Sequence, residues 1–447
     1  DSSDLTQWVF PAESLAPGEY LVVFASNKDR DVAGSELHTN FKLSASGEYL
    51  ALVQQDGTTV AFEYAPEYPA QSTDVAYGLV APEQGAAAGF LTTPTPGTSN
   101  AIAGPIIESV TQDPPQPTAT QDLLIEASVA ANAGISISHV DLHYRVGFGA
   151  EGVVDMFDDG TNGDTTSGDG IYTGTISSGL YAAGDMVRWY VTAEDTGGTV
   201  SRAPTFIDQS GGNQSAEYFG TVVAESIATA LPTFQWFTQD ESASHNRTGT
   251  RASVYYNGRF YDNIFVRQRG GFTNQSLSQK FDFNKGEKLY ISEELGSVGE
   301  INLNGNGADG SFLRQPMGFG AYAEAGNASS ASFLTYMSLN GAFDRVGVWI
   351  EQVDEDYVDR HGYDADGDLY KFVQRSNLNP GVSDTSTGIE KKTNDKSDLS
   401  SSQDLVDGLN LPSESQRQDY IRDNRDIAQM INYLAARTLI QGAYHVR

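Results

Sequence analysis

Cysteine is missing from all 447 residues. Disulfides, thiolate metal sites and cysteine nucleophiles are therefore excluded, and pairing gives no reading of the redox compartment. Basic residues are scarce: 27 Lys and Arg stand against 59 Asp and Glu, a formal net charge of -32. So negative a surface repels nucleic acid and anionic lipid, and neither is an expected partner. No apolar run approaches the roughly 18 residues of a membrane-spanning helix, so no membrane span is expected. Abundant Asp, Gly, Ser and Thr with few Lys fit an exported protein in a saline medium, and the expected location is extracellular or at the cell surface. The chain opens at Asp1 and closes at Arg447 directly after an apolar helical pattern without a C-cap, so a piece truncated at both ends is expected.

Enough remains to fold. Hydrophobic residues make up 39% and aromatics 11%, while charged residues are only 19%, a balance that fills cores. The length suggests about three domains. Residues 1–100 read as all-β, with short β-branched or aromatic runs at Tyr20–Ala25, Glu48–Val53 and Thr58–Tyr64. Asp56-Gly57 between the last two predicts a hairpin with a primed turn. His38 has no second imidazole at ligand spacing, and a hydrogen-bonded structural role is expected. A Pro/Gly/Ser linker, Pro94 to Gly104, leads to a second β unit over 104–222, with alternating strands at Leu123–Val129, His139–Val146 and Met186–Ala193.

One loop of that second unit, FDDGTNGDTTSGDGIY, carries a chemical signal. Counted from Asp158 as first position, Asn162 is fifth, Gly163 sixth and Asp169 twelfth, the spacings of a twelve-residue calcium loop, and Asp159 and Asp164 add oxygens. Gly160 holds the third position, where an oxygen belongs, and the flanks read as strands, so this is no EF-hand. Two readings stay open, a bound calcium ion and a solvated acidic turn.

The third region, 224–447, passes from hairpins to helices. Arg259 to Lys288 concentrates cations on one predicted hairpin face: Ile264 and Val266 point one way, and Phe265, Arg267 and Arg269 the other. In the return strand Phe281 and Phe283 oppose Lys280 and Asp282, so two arginines and a lysine converge. A helix over Ser311–Ala325 is weakened by Pro316, Gly318 and Gly320, so that packing holds it or it starts near Pro316. Strands Thr335–Leu339 and Val346–Val353 are joined by Asn340-Gly341, with Trp349 and Glu351 on one face. Asp364, Asp366 and Asp368 read as an acidic turn, because Leu369 and Arg375 fall where a calcium loop needs Gly and an acid. Residues 379–402 read as a polar loop, and helices follow over Pro412–Asn424 and Arg425–Gln441.

Two resemblances emerge. Trp8-Val9-Phe10-Pro11, PGEYLVVFASNKDR, HTNFKLSASGEYLAL and DVAYG together resemble a lamin tail domain of large bacterial surface proteins, over about residues 4–100. That implies an immunoglobulin-like sandwich, lacking its first strands, used as an interaction or spacer module. In the third region VRQRGGFTN, SQKFDFNKGEK, LNGNGADGSFLRQ, YMSLNGAFDRVGVWIEQVDEDYV, GDLYKFVQ and MINYLAARTLI occur in the order of the spore coat protein H (CotH) kinase family. The resemblance implies an α+β kinase-like fold binding ATP and magnesium and transferring phosphoryl groups to Ser or Thr hydroxyls. The expected architecture is thus multidomain: two all-β immunoglobulin-like sandwiches followed by an α+β atypical kinase-like domain.

Phosphoryl transfer needs cations on the phosphates, a carboxylate to hold the lysine, oxygens for magnesium and a base. Arg269, Lys280 and Arg314 are the candidate phosphate contacts, and Glu351 with Lys371 the candidate ion pair; which lysine meets the nucleotide stays open. The family's catalytic aspartate would fall near Tyr444 or His445, so catalytic residues are expected at or beyond His445, and the chain alone is not expected to catalyse transfer. The partner is then a protein substrate. The competing reading is a non-catalytic surface or adhesion protein with a cell-surface partner.

Overall fold

Period-two burial dominates the computed structural model, which describes every residue except 1–3, 46, 69–70, 72–75, 80–87, 92–93, 99, 101–103, 132–134, 207–214, 271–277, 285–286, 306–308, 365–366, 373–388, 394–399 and 440–447. The chain divides into two units, one built from 1–182, 187–207 and 217–219, the other from 183–186, 208–216 and 220–447. Strands outnumber helices among the described residues. No helix among them is long and apolar enough to cross a membrane.

The first unit holds both β-rich regions. Within residues 4–100, Val23–Phe24 pairs in parallel with Leu37–His38, and Leu50–Val53 and Ala76–Leu79 pair antiparallel with Val60–Tyr64 and Ala88–Leu91. The hairpin at Asp56-Gly57 forms, but not on the expected primed turn. Of that pair only Gly57 has positive φ, 72°, and Gln54 N–H donates to the Thr59 carbonyl at 2.8 Å across a longer loop. The Asp56 carboxylate caps it, accepting from the Thr58 and Thr59 N–H groups at 2.9 and 2.8 Å, which removes the need for a second strained residue. His38 is buried, with Nδ1 2.9 Å from Ser26 Oγ and its ring stacked on Phe24; burial, then Arg30 and Lys28, push its pKa down.

In residues 106–203 one sheet runs Ile171–Ile176, Leu123–Ala130, Ile106–Asp113, and another Gly152–Met156, Ile137–Val146, Met186–Asp195, Val200–Ala203. Leu123, Ile125, Ala127 and Val129 are buried while the residues between them are not, the signature of a sheet with one covered face. The two sheets approach closely: a Cβ on Gly174 would sit 3.0 Å from Met156 and 3.2 Å from Leu142 of the other sheet.

The second unit is organised on a closed barrel. Its strands are β1 (Thr233–Phe237), β2 (Thr250–Tyr256), β3 (Arg259–Gln268), β4 (Gln279–Asp282), β5 (Glu300–Asn304), β6 (Ser332–Leu339) and β7 (Ala342–Glu351), in the order β1-β2-β3-β4-β5-β7-β6 and back to β1. Every pairing is antiparallel except β6 on β1, which is parallel. Two of the hairpins turn on Asn-Gly pairs with both residues at positive φ: Asn257 and Gly258 at 50° and 74°, Asn340 and Gly341 at 52° and 80°. Large side chains, among them Phe234, Trp236, Ile264, Val266, Phe281 and Trp349, fill the interior. Phe281 lies edge-on to Phe234 and Trp236, with ring centroids 5.1 and 5.5 Å away.

Helices follow the barrel strands in part. The Arg314–Glu324 helix starts two residues before Pro316, which occupies the first turn where its missing N–H is not needed. Ser400–Leu409 is helical, a correction to the polar loop expected up to residue 402. Its Val406 is fully buried and its Gly408 lies under the Tyr420 ring of the next helix, Glu414–Asn424, so a glycine that weakens the local propensity allows the close approach. The last helix is Ile427–Leu439. The barrel packing generates a prediction: Phe281→Ala should destabilise the second unit by about 3–5 kcal/mol, read from denaturant unfolding of the chain against the wild type.

Candidate functional site

With Ile264, Val266 and Phe281 turned into the barrel, alternation places Arg267, Lys280 and Asp282 on its outer surface. Lys280 lies opposite Arg267 on one side and Asn302 on the other, and Asp282 lies opposite Glu300. The Lys280 Nζ is 3.0 Å from Asp282 Oδ1 and 2.6 Å from Glu300 Oε2, and Arg267 Nε is 3.8 Å from Asp282 Oδ2. Arg269, directly after β3, donates from a terminal guanidinium nitrogen to Asn304 Oδ1 at 3.1 Å, and Asn304 Nδ2 donates to Gln315 Oε1 at 3.1 Å, linking the end of β5 to the first turn of the 314–324 helix. Burial, reinforced by Arg267, lowers the Arg269 pKa to about 10, so it stays cationic at neutral pH. The cationic face expected from the sequence is present, and carboxylates of the same face already partner it.

The proposed pair of Glu351 and Lys371 does not form. Glu351 shares the inward face with Trp349 and is 3% exposed; it accepts from Arg360 Nε at 2.7 Å, from a second Arg360 nitrogen, and from the Ala331 N–H at 2.9 Å. Arg360 ends the Glu355–Arg360 helix and also donates to the Ser329 carbonyl at 3.1 Å. That helix has a start signal in the sequence, Asp354 followed by Glu355 and Asp356, and a basic residue in its last turn. Arg314 is 77% exposed on its side chain, with Nε 3.7 Å from Asp309 Oδ1, and its backbone N–H donates to Asp309 Oδ2 at 3.0 Å.

Lys371 lies on Tyr370–Phe372, which pairs antiparallel with Ile389–Lys391 and stands Lys371 opposite Glu390. Its Nζ is 3.7 Å from Glu390 Oε2, and Lys392 pairs with Glu390 Oε1. Burial acts to raise the Glu390 carboxyl, but Lys392, Lys371 and Lys280 overcome it and hold the group below its ordinary value. Lys371 and Lys392 are the lysines in ion-pair range of Glu390, whereas the ion pairs of Lys280 are with Asp282 and Glu300. Nearby acidity is uneven: burial first, then the charges of Asp356 and Glu300, pushes the Asp354 carboxyl up to about 7. Asp356 is engaged, pairing with Lys288 and accepting the Gly299 N–H at 2.9 Å.

With this geometry in hand the chain can be set beside known proteins. Residues 266–443 match the CotH kinase protein family. The chain is similar to the inner spore coat protein H of Bacillus subtilis strain 168, 27% identical over 155 residues that make up 33% of this chain and 42% of that protein. The chain therefore spans less than half the length of that relative. Among solved structures, an uncharacterized Listeria monocytogenes protein crystallised with glucose, magnesium and calcium aligns over 44% of this chain and 18% of its own, at 11% identity and a TM-score of 0.17. A family 64 β-1,3-glucanase of Paenibacillus barengoltzii aligns over 44% and 55%, at 12% identity and a TM-score of 0.13. Likenesses at that level carry no argument about fold or function.

The CotH segment takes in β4, β5, β6, β7, the 370–391 hairpin and the last three helices, so Lys280, Glu351 and Lys371 all fall inside it. The catalytic position expected at or beyond His445 lies outside the described residues, as do Asp366 of the second acidic turn and the Gly271–Asn274 portion of the VRQRGGFTN strand-turn.

The acidic loop of the first unit lies outside the CotH segment. Asp158, Asp164 and Asp169 present oxygens within 4.8 Å of one another. Asp164 accepts from the Gly160 and Thr166 N–H groups at 2.5 and 3.0 Å, and Asp158 from Gly168, Asp169 and Gly170 at 2.6, 3.2 and 3.0 Å. Asp159 accepts from the Thr161 N–H and hydroxyl at 2.8 and 2.6 Å and stands apart from that cluster, while the Asn162 side-chain N–H donates to Thr161 Oγ1 at 3.1 Å.

Two predictions arise here. Glu351→Ala leaves the Arg360 guanidinium without its carboxylate and should cost about 3 kcal/mol, with part regained in Glu351→Ala/Arg360→Ala, measured as a double-mutant cycle in urea. The Asp164 pKa is lowered, first by the Gly160 N–H and then by Thr166, from an ordinary 3.8. A depressed folded value adds stability above the unfolded value that is lost as pH falls through the folded one, so Asp164→Asn should flatten the decline of melting temperature below about pH 4.

Proposed function

We propose that the CotH segment binds ATP with magnesium on the outer face of β3, β4 and β5 and the adjoining 370–391 hairpin. Within an exported multidomain protein it serves ATP-dependent phosphoryl transfer to Ser or Thr hydroxyls of a protein substrate. The observation that carries this reading is the charged row on β3, β4 and β5, where Lys280 stands opposite Arg267 and is held between Asp282 and Glu300. Ammonium groups held by carboxylates at 3.0 and 2.6 Å are oriented point charges, suited to a phosphate oxygen once it replaces a carboxylate. Arg269, cationic and fixed by Asn304, is placed to add a donor from the neighbouring strand. Magnesium takes oxygen ligands in octahedral geometry, and on this reading Glu300, beside Lys280, would supply one of them. When bound, the ion neutralises charge on the phosphates. Glu351, tied to Arg360, acts at one remove by fixing the Glu355–Arg360 helix and with it the Asp354 cap.

Residues 4–100 fit a lamin-tail-like interaction or spacer module beside this activity, at an extracellular or cell-surface location. Calcium at Asp158, Asp164 and Asp169 is tested separately by its effect on melting temperature. A non-catalytic adhesion role has one observation in its favour, that Lys280 already has two carboxylate partners.

Equilibrium binding of labelled ATP with magnesium decides between these readings. Lys280→Ala and Lys371→Ala should each weaken binding about tenfold or more, the worth of one charge-assisted hydrogen bond. Binding that survives both substitutions removes the lysine assignment, and no nucleotide binding by the wild type leaves the adhesion reading.

A further inference from the structure

Arg269 differs from its neighbours in the charged row in what holds it. Arg267 and Lys280 have counter-charges in place, Asp282 for the first and Asp282 with Glu300 for the second. Among the described residues no carboxylate pairs with the Arg269 guanidinium, whose acceptor is the neutral Asn304 Oδ1 at 3.1 Å. The flanking segments 271–277 and 306–308, which lie outside the described residues, contain neither Asp nor Glu. The Asn304 amide has a fixed sense, because its Nδ2 donates to Gln315 Oε1 at 3.1 Å and so turns its oxygen to the arginine. An amide oxygen orients a guanidinium without neutralising it. Arg269 is half-buried, and a cation partly withdrawn from water stays costly until it meets an anion.

Resting on the nucleotide reading above, we infer that Arg269 is the primary anchor for a phosphate group of the ligand, and that Asn304 and Gln315 are its positioning residues. A phosphate that reaches Lys280 exchanges with Asp282 and Glu300, one anion for another, and the net gain is small. A phosphate that reaches Arg269 displaces no carboxylate, so its charge-assisted hydrogen bonds are gained outright. The guanidinium fork is also ordered beforehand by Asn304, at the end of β5, and through it by Gln315 in the first turn of the 314–324 helix, which lowers the cost of fixing it on binding. In a chain with 59 acidic side chains, an asparagine at this position keeps one cation available to the ligand.

The test is equilibrium binding of labelled magnesium-ATP to the full chain, with a thermal melt of each variant. Arg269→Ala should weaken binding about tenfold or more. Asn304→Ala should weaken it about three- to tenfold, and should add nothing further in Arg269→Ala/Asn304→Ala, as expected of a residue that acts through the arginine. Asn304→Asp provides the readout that a merely structural role would not move. It is nearly isosteric and supplies the missing counter-charge, so the melting temperature should hold or rise while ATP affinity falls about tenfold. Wild-type affinity in Arg269→Ala or in Asn304→Asp, with Lys280→Ala impaired, overturns the anchor role and leaves the nucleotide reading standing. Losses that add in the double variant overturn the positioning role of Asn304. Should Arg269→Ala fail to fold, Asn304→Asp still decides, and absence of ATP binding by the wild type overturns both readings.

Discussion

The packing of Phe281 against Phe234 and Trp236 sets the phase of β4, and the charged face depends on that phase. A strand alternates with period two, so a ring driven inward forces its neighbours Lys280 and Asp282 outward, and a slip of one residue would exchange them. The interior offers no compensation for a misplaced ammonium, because taking a charge out of water costs several kcal/mol unless it is paired. The aromatic core and the charged surface are therefore two consequences of one register. Closure of the sheet strengthens it: with β6 paired to β1, the barrel leaves no edge along which β4 could shift alone.

How much of this was legible depended on the range of the interaction. Alternation in Ile264, Val266, Phe281 and Phe283 is a local pattern, and it correctly assigned the faces of β3 and β4. Asn340-Gly341 is a two-residue signal whose steric requirement for positive φ is met by few other pairs, and the hairpin is there. Asn257-Gly258 carries the same signal, and it too forms a turn with both residues at positive φ. The parallel pairing of Thr233–Phe237 with Ser332–Leu339 has no local signature, since strands so far apart in the chain find each other only through the closed barrel. The partner of Glu351 was mistaken for a related reason. A strand face shows which residues share a side, but not which distant cation reaches it, and Arg360 arrives from a short helix whose own start and stop signals were readable. In the first unit, the calcium-like spacing of the 158–169 loop was visible, but spacing does not reveal that Asp159 accepts from Thr161 and stands apart from Asp158, Asp164 and Asp169.

For a chain with a net charge of -32 the proposed binding of a polyanion poses an electrostatic problem, and the placement of its lysines bears on how it would be met. The repulsion of the whole surface is long-ranged, whereas contact with an ammonium group is short-ranged. At physiological ionic strength the Debye length is about 8 Å, so most of the 59 acidic side chains are screened from a ligand seated on the barrel, while cations within contact distance are not. Salt then acts twice and with opposite sign: it weakens the attraction of the lysines at short range, and it removes the opposing field of the rest of the chain. In a protein with the usual charge balance only the first effect matters, and affinity for a polyphosphate falls steeply with salt. On the proposed reading the two offset one another, so that at high ionic strength a few lysines would suffice.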